Sequence, residues 1–196
     1  MPKIVDHDAQ RRRFAEATMR LVARDGLEGV TMRAVAAEAG LSYGSLFHYF
    51  ESKDDLLLHA VGHSMALQTD RVDQIASRCQ GREALEQLLC DDAIISDSSR
   101  DAWMMWQSFL YKAALQDSFA SMHSTLIESW LARLERLLRD AQSAGELRED
   151  LDPELEALAL WVYSAGVGQM GLLAPGLLPA DRQRSLIAGY LDKLAG

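Results

Sequence analysis

The side chains best suited to hydrogen bonding with an outside partner are concentrated between Ser42 and Lys53, in the run SYGSLFHYFESK. A core helix would carry leucines where this stretch carries a glycine, serines, a histidine and two tyrosines. Small and polar residues at the start of a helix let that end approach base edges in a DNA major groove, provided one face stays anchored in its own domain. Ser42, Tyr43, Gly44, Ser45 and His48 are the candidates for the approaching face, and Leu46 and Phe50, at i and i+4, are the anchors. Phe47 is expected to pack between helices. His48 has a second reading as a pH-sensitive group, but titration needs a partner that the sequence does not reveal. Upstream, Thr31 stands where a helix begins, so its hydroxyl and the free N–H groups of the first turn suit a phosphate. Arg33 is the long donor nearest the same face, either on a base or simply solvated.

A second group of residues suits an apolar pocket. Trp103, Met104, Met105, Trp106, Phe109 and Tyr111 crowd one segment, and Trp130, Trp161 and Met170 stand on others. Pockets between helices are mainly apolar with a few orienting polar groups, and aromatics also dominate ordinary cores. Trp103, Trp106, Phe109, Trp130, Trp161 and Met170 are therefore candidates both for a ligand wall and for core.

Other patterns lead to no chemistry. Gly166 to Gly171 spells GxGxxG, but inside a helical pattern and not after a strand, so it suits close helix packing better than a dinucleotide. His59 and His63 share a helix face, but no carboxylate or cysteine in the sequence nearby completes a metal set. Cys79 and Cys90, eleven apart, form no metal or redox motif. No catalytic constellation, metal site or cofactor is expected.

The elements that position these residues are helical throughout. Phe14, Ala17, Leu21 and Val22 make one stripe of a helix over 11–25 that Gly26 should stop. Met32, Val35, Ala36 and Ala39 make a second, short helix ending at Gly40, and Tyr43 to Phe50 would add two helical turns, giving a helix-turn-helix. Ser52 should cap a long helix over 53–77, with breaks at Gly81 and in the polar run 96–101. Asp152-Pro153-Glu154 reads as a helix start, and Pro179 opens a last helix striped by Leu186, Ile187, Tyr190, Leu191 and Leu194. The fold class is all-α, with about nine helices.

The uncharged run over 157–178 is twenty-two residues, long enough to cross a bilayer. Its four glycines, Ser164, Gln169 and Pro175 dilute it, so a buried helix is expected and no membrane partner. The start MPKIVDHDAQRRR is too polar for a signal peptide, and a cytoplasmic protein is expected. Net charge is −9, with eight basic against seven acidic residues through Lys53 and twelve against twenty-two after it. Such a balance opposes indiscriminate binding to nucleic acid but leaves room for a local site. Arg11, Arg12 and Arg13 could steer DNA or merely face solvent.

Residues 11–58 resemble the DNA-binding domain of TetR-type transcriptional regulators. An amphipathic helix ending in DG is followed by GVTMRAVAAEAGLSYGSLFHYFESKDDLL, in the family's order of Gly, apolar, Ser, small hydroxyl, apolar, aromatic, Tyr, Phe and Lys. The resemblance implies a DNA-binding domain over 1–52 and a ligand-binding and dimerisation domain over 53–196. It implies phosphate contacts from Tyr49 and Lys53 and a guanine contact from Arg33. It further implies a homodimeric, ligand-responsive regulator, a repressor, paired through its last two helices on a palindromic operator of double-stranded DNA. A small-molecule inducer would shift the long helix at 53–77 and release the operator. AWMMW and the glycine-bearing helix near Gly166 are similar to the choline-responsive repressors of the betaine pathway. That likeness implies that Trp103 and Trp106 cage a quaternary ammonium by cation–π attraction. The alternative is a small-molecule binder or enzyme whose head no longer binds DNA.

Overall fold

Short polar side chains start the helices by accepting their otherwise unpaired N–H groups. In the computed structural model, which describes residues 6–93, 96 and 99–195, Thr31 Oγ1 accepts from Ala34 N at 3.1 Å, Ser42 Oγ from Ser45 N at 3.0 Å and Ser52 Oγ from Asp55 N at 3.1 Å. Asp6 and Asp152 cap in the same way, and Pro153 occupies the first turn of its helix. The described elements are α1 (His7–Gly29), α2 (Met32–Glu38), α3 (Tyr43–Leu46), α4 (Lys53–Ala76), α5 (Gly81–Ala93), α6 (Arg100–Ala113), α7 (Asp117–Ser143), α8 (Pro153–Leu173) and α9 (Ala180–Leu194). No strand occurs among the described residues. Gly26, at φ 70°, breaks α1 where the sequence places its end, and the chain makes one more turn before α2. Gly40, at φ 63°, makes the turn between α2 and α3. Both φ values lie in the region where glycine meets no Cβ penalty.

Two apolar clusters hold the chain together. The first joins Phe14, Leu21 and Val22 of α1 to Val35, Leu46, Phe50 and Leu56, and it also takes in Met105 and Phe109 of α6 and Phe119 of α7. The second packs α5, α7, α8 and α9 around Leu85, Leu134, Leu160 and Leu191. The helix-turn-helix therefore shares a continuous core with α6 instead of hanging on a linker.

Three expectations change. Regular α-helix covers only Tyr43–Leu46 of the expected Tyr43–Phe50, because the N–H groups of His48 and Tyr49 turn back to Ser45 and Leu46, three residues away, in a tighter 3₁₀-like pattern. Phe47 does not pack between helices: it is 50% exposed and meets Tyr43 edge-to-face at 5.0 Å. Leu46 and Phe50 fill the core face, and a residue one step from Leu46 points about 100° away from it. Finally, α8 is buried on one face only. Ala157, Leu160, Ser164, Val167 and Gly168 are inside, whereas Leu155, Leu158, Val162, Met170 and Leu173 are exposed. No described helix is long and apolar enough to cross a membrane.

Candidate DNA-binding face and ligand cavity

The tip formed by α2 and α3 presents an aromatic and cationic cluster. Arg33 Cζ lies 5.4 Å from the centre of the Tyr43 ring, and Phe47 abuts that ring. All three side chains are exposed, as are Ser42, Gly44 and His48. A Cβ at Gly44 would meet nothing within 4 Å, so this position is open to close approach from outside. Ser45 is half-buried, and its hydroxyl donates to the Ser42 carbonyl at 2.7 Å. Thr31 is exposed beside the free end of α2.

Tyr49 and Lys53 are tied into the fold. The Tyr49 hydroxyl lies 2.9 Å from His7 Nδ1 with its ring against Phe14, and Lys53 Nζ donates to the Leu27 carbonyl at 2.7 Å. Lys53 thereby satisfies a carbonyl just beyond the Gly26 break, and its remaining N–H donors keep a positive group between α1 and α4. Arg13 also has a structural partner, the Ala39 carbonyl at 2.7 Å, while Arg11 and Arg12 stay exposed. Phe47 is the member of this face that sequence reasoning misplaced. Its separation of four from Tyr43 was the available signal, since such pairs meet on a helix surface.

A cavity of about 130 Å³ lies among α4, α5, α6, α7 and α8. Trp103, Trp106, Trp130 and Trp161 all line it. Two other candidates do not. Phe109 is buried in the first core cluster, 5.2 Å behind Trp106, and Met170 lies on the exposed face of α8. The helical period accounts for both: Phe109 faces α1 and α7 from α6, and Met170 belongs to the outward stripe of α8. Trp103 fits because α8 carries Gly168 opposite it, where any Cβ would overlap the indole; Gly171 admits Gln183 of α9 in the same way. Close packing is thus what the GxGxxG spelling serves.

Sequence reasoning missed His123 and the polar wall. The imidazole stacks on Trp106 at 5.7 Å and 26°, touches Phe109 and Trp161, and burial lowers its pKa. Asp91, Asp92, Gln68 and Thr69 bring polar atoms to the cavity, and Trp130 Nε1 is buried in its wall without a hydrogen-bond partner. Asp91 and Asp92 lie between apolar runs and look in sequence like the solvated end of a helix. His59 packs on Phe50 at 5.2 Å, His63 Nε2 is 3.9 Å from Glu16, and no group of three or more potential metal ligands occurs among the described residues.

Residues 15–60 match the bacterial regulatory proteins of the tetR family, and residues 81–196 match the C-terminal domain of the BetI-type transcriptional repressor. The chain belongs to the TetR family. Among its relatives, the HTH-type transcriptional regulator PksA of Bacillus subtilis is 29% identical over 99% of this chain and 94% of its own. The HTH-type transcriptional regulator BetI of Burkholderia ambifaria is 28% identical over 99% and 98%. A transcriptional regulator from Saccharomonospora viridis, solved in complex with choline, superposes with a TM-score of 0.86 at 26% identity, covering 95% of this chain and 97% of that one. The relatives matched over nearly the whole chain are regulators, not enzymes, and the nine described helices share the fold of the Saccharomonospora viridis regulator.

Proposed function

We propose that this TetR-family regulator represses transcription as a homodimer, with residues 1–52 on operator DNA and residues 53–196 binding the inducer and the partner copy. The observation that carries the reading is the exposed Arg33–Tyr43–Phe47 cluster at the α2–α3 tip, seated on the same core as the helix that lines the aromatic cavity. Arg33, Ser42, Tyr43, Gly44, Ser45, Phe47 and His48 face base edges, with Phe47 and Tyr43 offering apolar contact to thymine methyl groups. Thr31, Tyr49 and Lys53 hold phosphates.

Two copies pair through α8 and α9. Leu155, Leu158, Val162, Leu173, Leu177 and Leu186 are exposed on these helices and their connection, and an isologous contact would cover them. The two tips then reach successive major grooves about 34–36 Å apart on a palindrome. The inducer occupies the cavity lined by Trp103, Trp106, Trp130 and Trp161, where indole faces attract a quaternary ammonium. The choline complex of the Saccharomonospora viridis relative makes choline the first compound to try.

The test is a gel shift on the DNA upstream of its own gene, with and without choline, on protein of measured oligomeric state. Retardation of that fragment by a dimer, reversed by a small molecule, is expected. A monomer indifferent to promoter DNA overturns the reading.

A further inference from the structure

Among the described residues, no ion pair neutralises Asp92 in the cavity wall. Asp92, near the end of α5, is half-buried, and its carboxylate accepts a hydrogen bond from Gln68 Nε2 of α4 at 2.5 Å. Burial raises its pKa to about 6, the Gln68 hydrogen bond opposes that rise, and the neighbouring Asp91 adds to it. The other charged groups in the wall do not neutralise it. Arg133 of α7 is held by Asp73 at 3.0 Å, Arg71 of α4 is exposed, and neither hydrogen-bonds to Asp92. The walls from α6 and α8 are indoles and small side chains without charge. Trp103 joins these halves of the cavity, because its Nε1 donates to the Asp92 carbonyl at 2.9 Å and so places the ring beside the acid.

A carboxylate partly removed from water without a cation is unfavourable, and indole faces attract cations. We propose that Asp92 is the counter-ion of the ligand, a small organic cation seated against its carboxylate and the faces of Trp103, Trp106 and Trp161. The proposal rests on reading this cavity as the inducer site. Charge, and not shape alone, then selects the ligand: an uncharged molecule of the same outline fills the aromatic walls but leaves Asp92 unpaired. Because Gln68 belongs to α4, the ligand's charge partner is one hydrogen bond from the helix that begins at Lys53.

The experiment compares choline with its uncharged carbon isostere, 3,3-dimethylbutan-1-ol, on the full-length wild type, D92N and D91N. Calorimetry and tryptophan fluorescence give affinities at pH 7.5 and pH 5.0, and a gel shift records ligand-free DNA binding. The wild type should prefer choline by about tenfold or more, and D92N should lose about tenfold in choline affinity while its affinity for the isostere holds. D91N should keep most of the preference, since Asp91 is exposed and it is Asp92 that accepts from Gln68 in the wall. Protonating Asp92 should weaken choline binding to the wild type by about tenfold at pH 5.0 and leave D92N unaffected.

Equal binding of both probes by the wild type, wild-type choline affinity in D92N, or failure of the wild type to bind choline overturns the proposal. If DNA is still retarded in those cases, the regulator reading stands alone. If choline binds through Asp92 but no promoter DNA is retarded, the regulator reading fails and the counter-ion remains. Should D92N fail to fold, the isostere comparison and the pH series on the wild type decide the matter without it.

Discussion

Lys112, in the last turn of α6, donates a hydrogen bond to Asp54 in the first turn of α4, Nζ to Oδ1 at 2.5 Å. The two ends of α6 thus meet different parts of the protein: Trp103 and Trp106 line the cavity, and Lys112 holds the residue after Lys53. Between these ends, Met105 and Phe109 pack into the core cluster that holds α1. A ligand that displaces the indoles must move a helix already fastened to the base of the DNA-binding head.

Replacing the ammonium without removing the stem isolates that fastening. K112M should cost about 1 kcal/mol of stability, since the ion pair is partly exposed and the thioether can replace the ammonium that lies 5.2 Å from the centre of the Phe119 ring. Choline affinity should be near wild type by tryptophan fluorescence, while the fraction of labelled operator released at saturating choline falls. Unchanged release would mean that α6 does not transmit the signal through Asp54.

The tip offers a sharper division of labour. Arg33 lies over Tyr43, so Y43A removes the platform that orients the guanidinium as well as its own ring. Both Y43A and R33A should relax discrimination at the same base pair, by about 1–3 kcal/mol on a panel of single-base operator variants. K53A should instead weaken all sequences alike and reduce the salt slope of binding. It should also lower the melting temperature, because the Leu27 carbonyl loses the donor it has at 2.7 Å. Relaxation at different bases in Y43A and R33A would separate the two side chains.

Asp92 makes stability depend on pH in a direction opposite to that of a paired carboxylate. Its pKa stands at about 6 in the fold against an ordinary 3.8, so the folded state holds the proton more tightly than the unfolded state does. Stability from this group is full below the ordinary value and is lost as pH rises through about 6. The cost at neutral pH is about 2–3 kcal/mol. D92N, which keeps a polar group beside Gln68, should therefore melt higher than the wild type at pH 7.5, with the gap narrowing at pH 5. Choline should raise the melting temperature of the wild type more than that of D92N. A D92N melting point below the wild type at pH 7.5 would refute the unpaired charge.

Much of this architecture was legible because local chemistry sets it. Thr31, Ser42, Ser52 and Asp152 each had to satisfy N–H groups where a helix begins, and Gly26 and Gly40 had to relieve the turns between stripes. Phe47 was misplaced although its spacing was informative: Leu46 and Phe50 already take the core face, and a residue four from Tyr43 shares the outward side. The four cavity tryptophans could be named, yet Phe109 could not be told from them, since wall and core differ only in which neighbouring helix a side chain faces. Asp92 was hidden for the same reason: the wall around it is completed by α4 and α7, which come from other parts of the chain.

The exposed stripe on α8 gives the last test. Leu158 and Val162 are separated by four residues, face outward with exposures of 44% and 57%, and are flanked by Leu155 on the same helix. If two copies meet there, a charge placed in the stripe would be buried without a partner in each, at a cost of several kcal/mol across the interface. V162E should shift the protein from dimer to monomer in sedimentation while the circular dichroism of the helices is retained, because the inner face of α8 is untouched. Operator affinity should then fall steeply, since a monomer binds one half-site. Sedimentation of V162E as a dimer would place the contact between copies elsewhere.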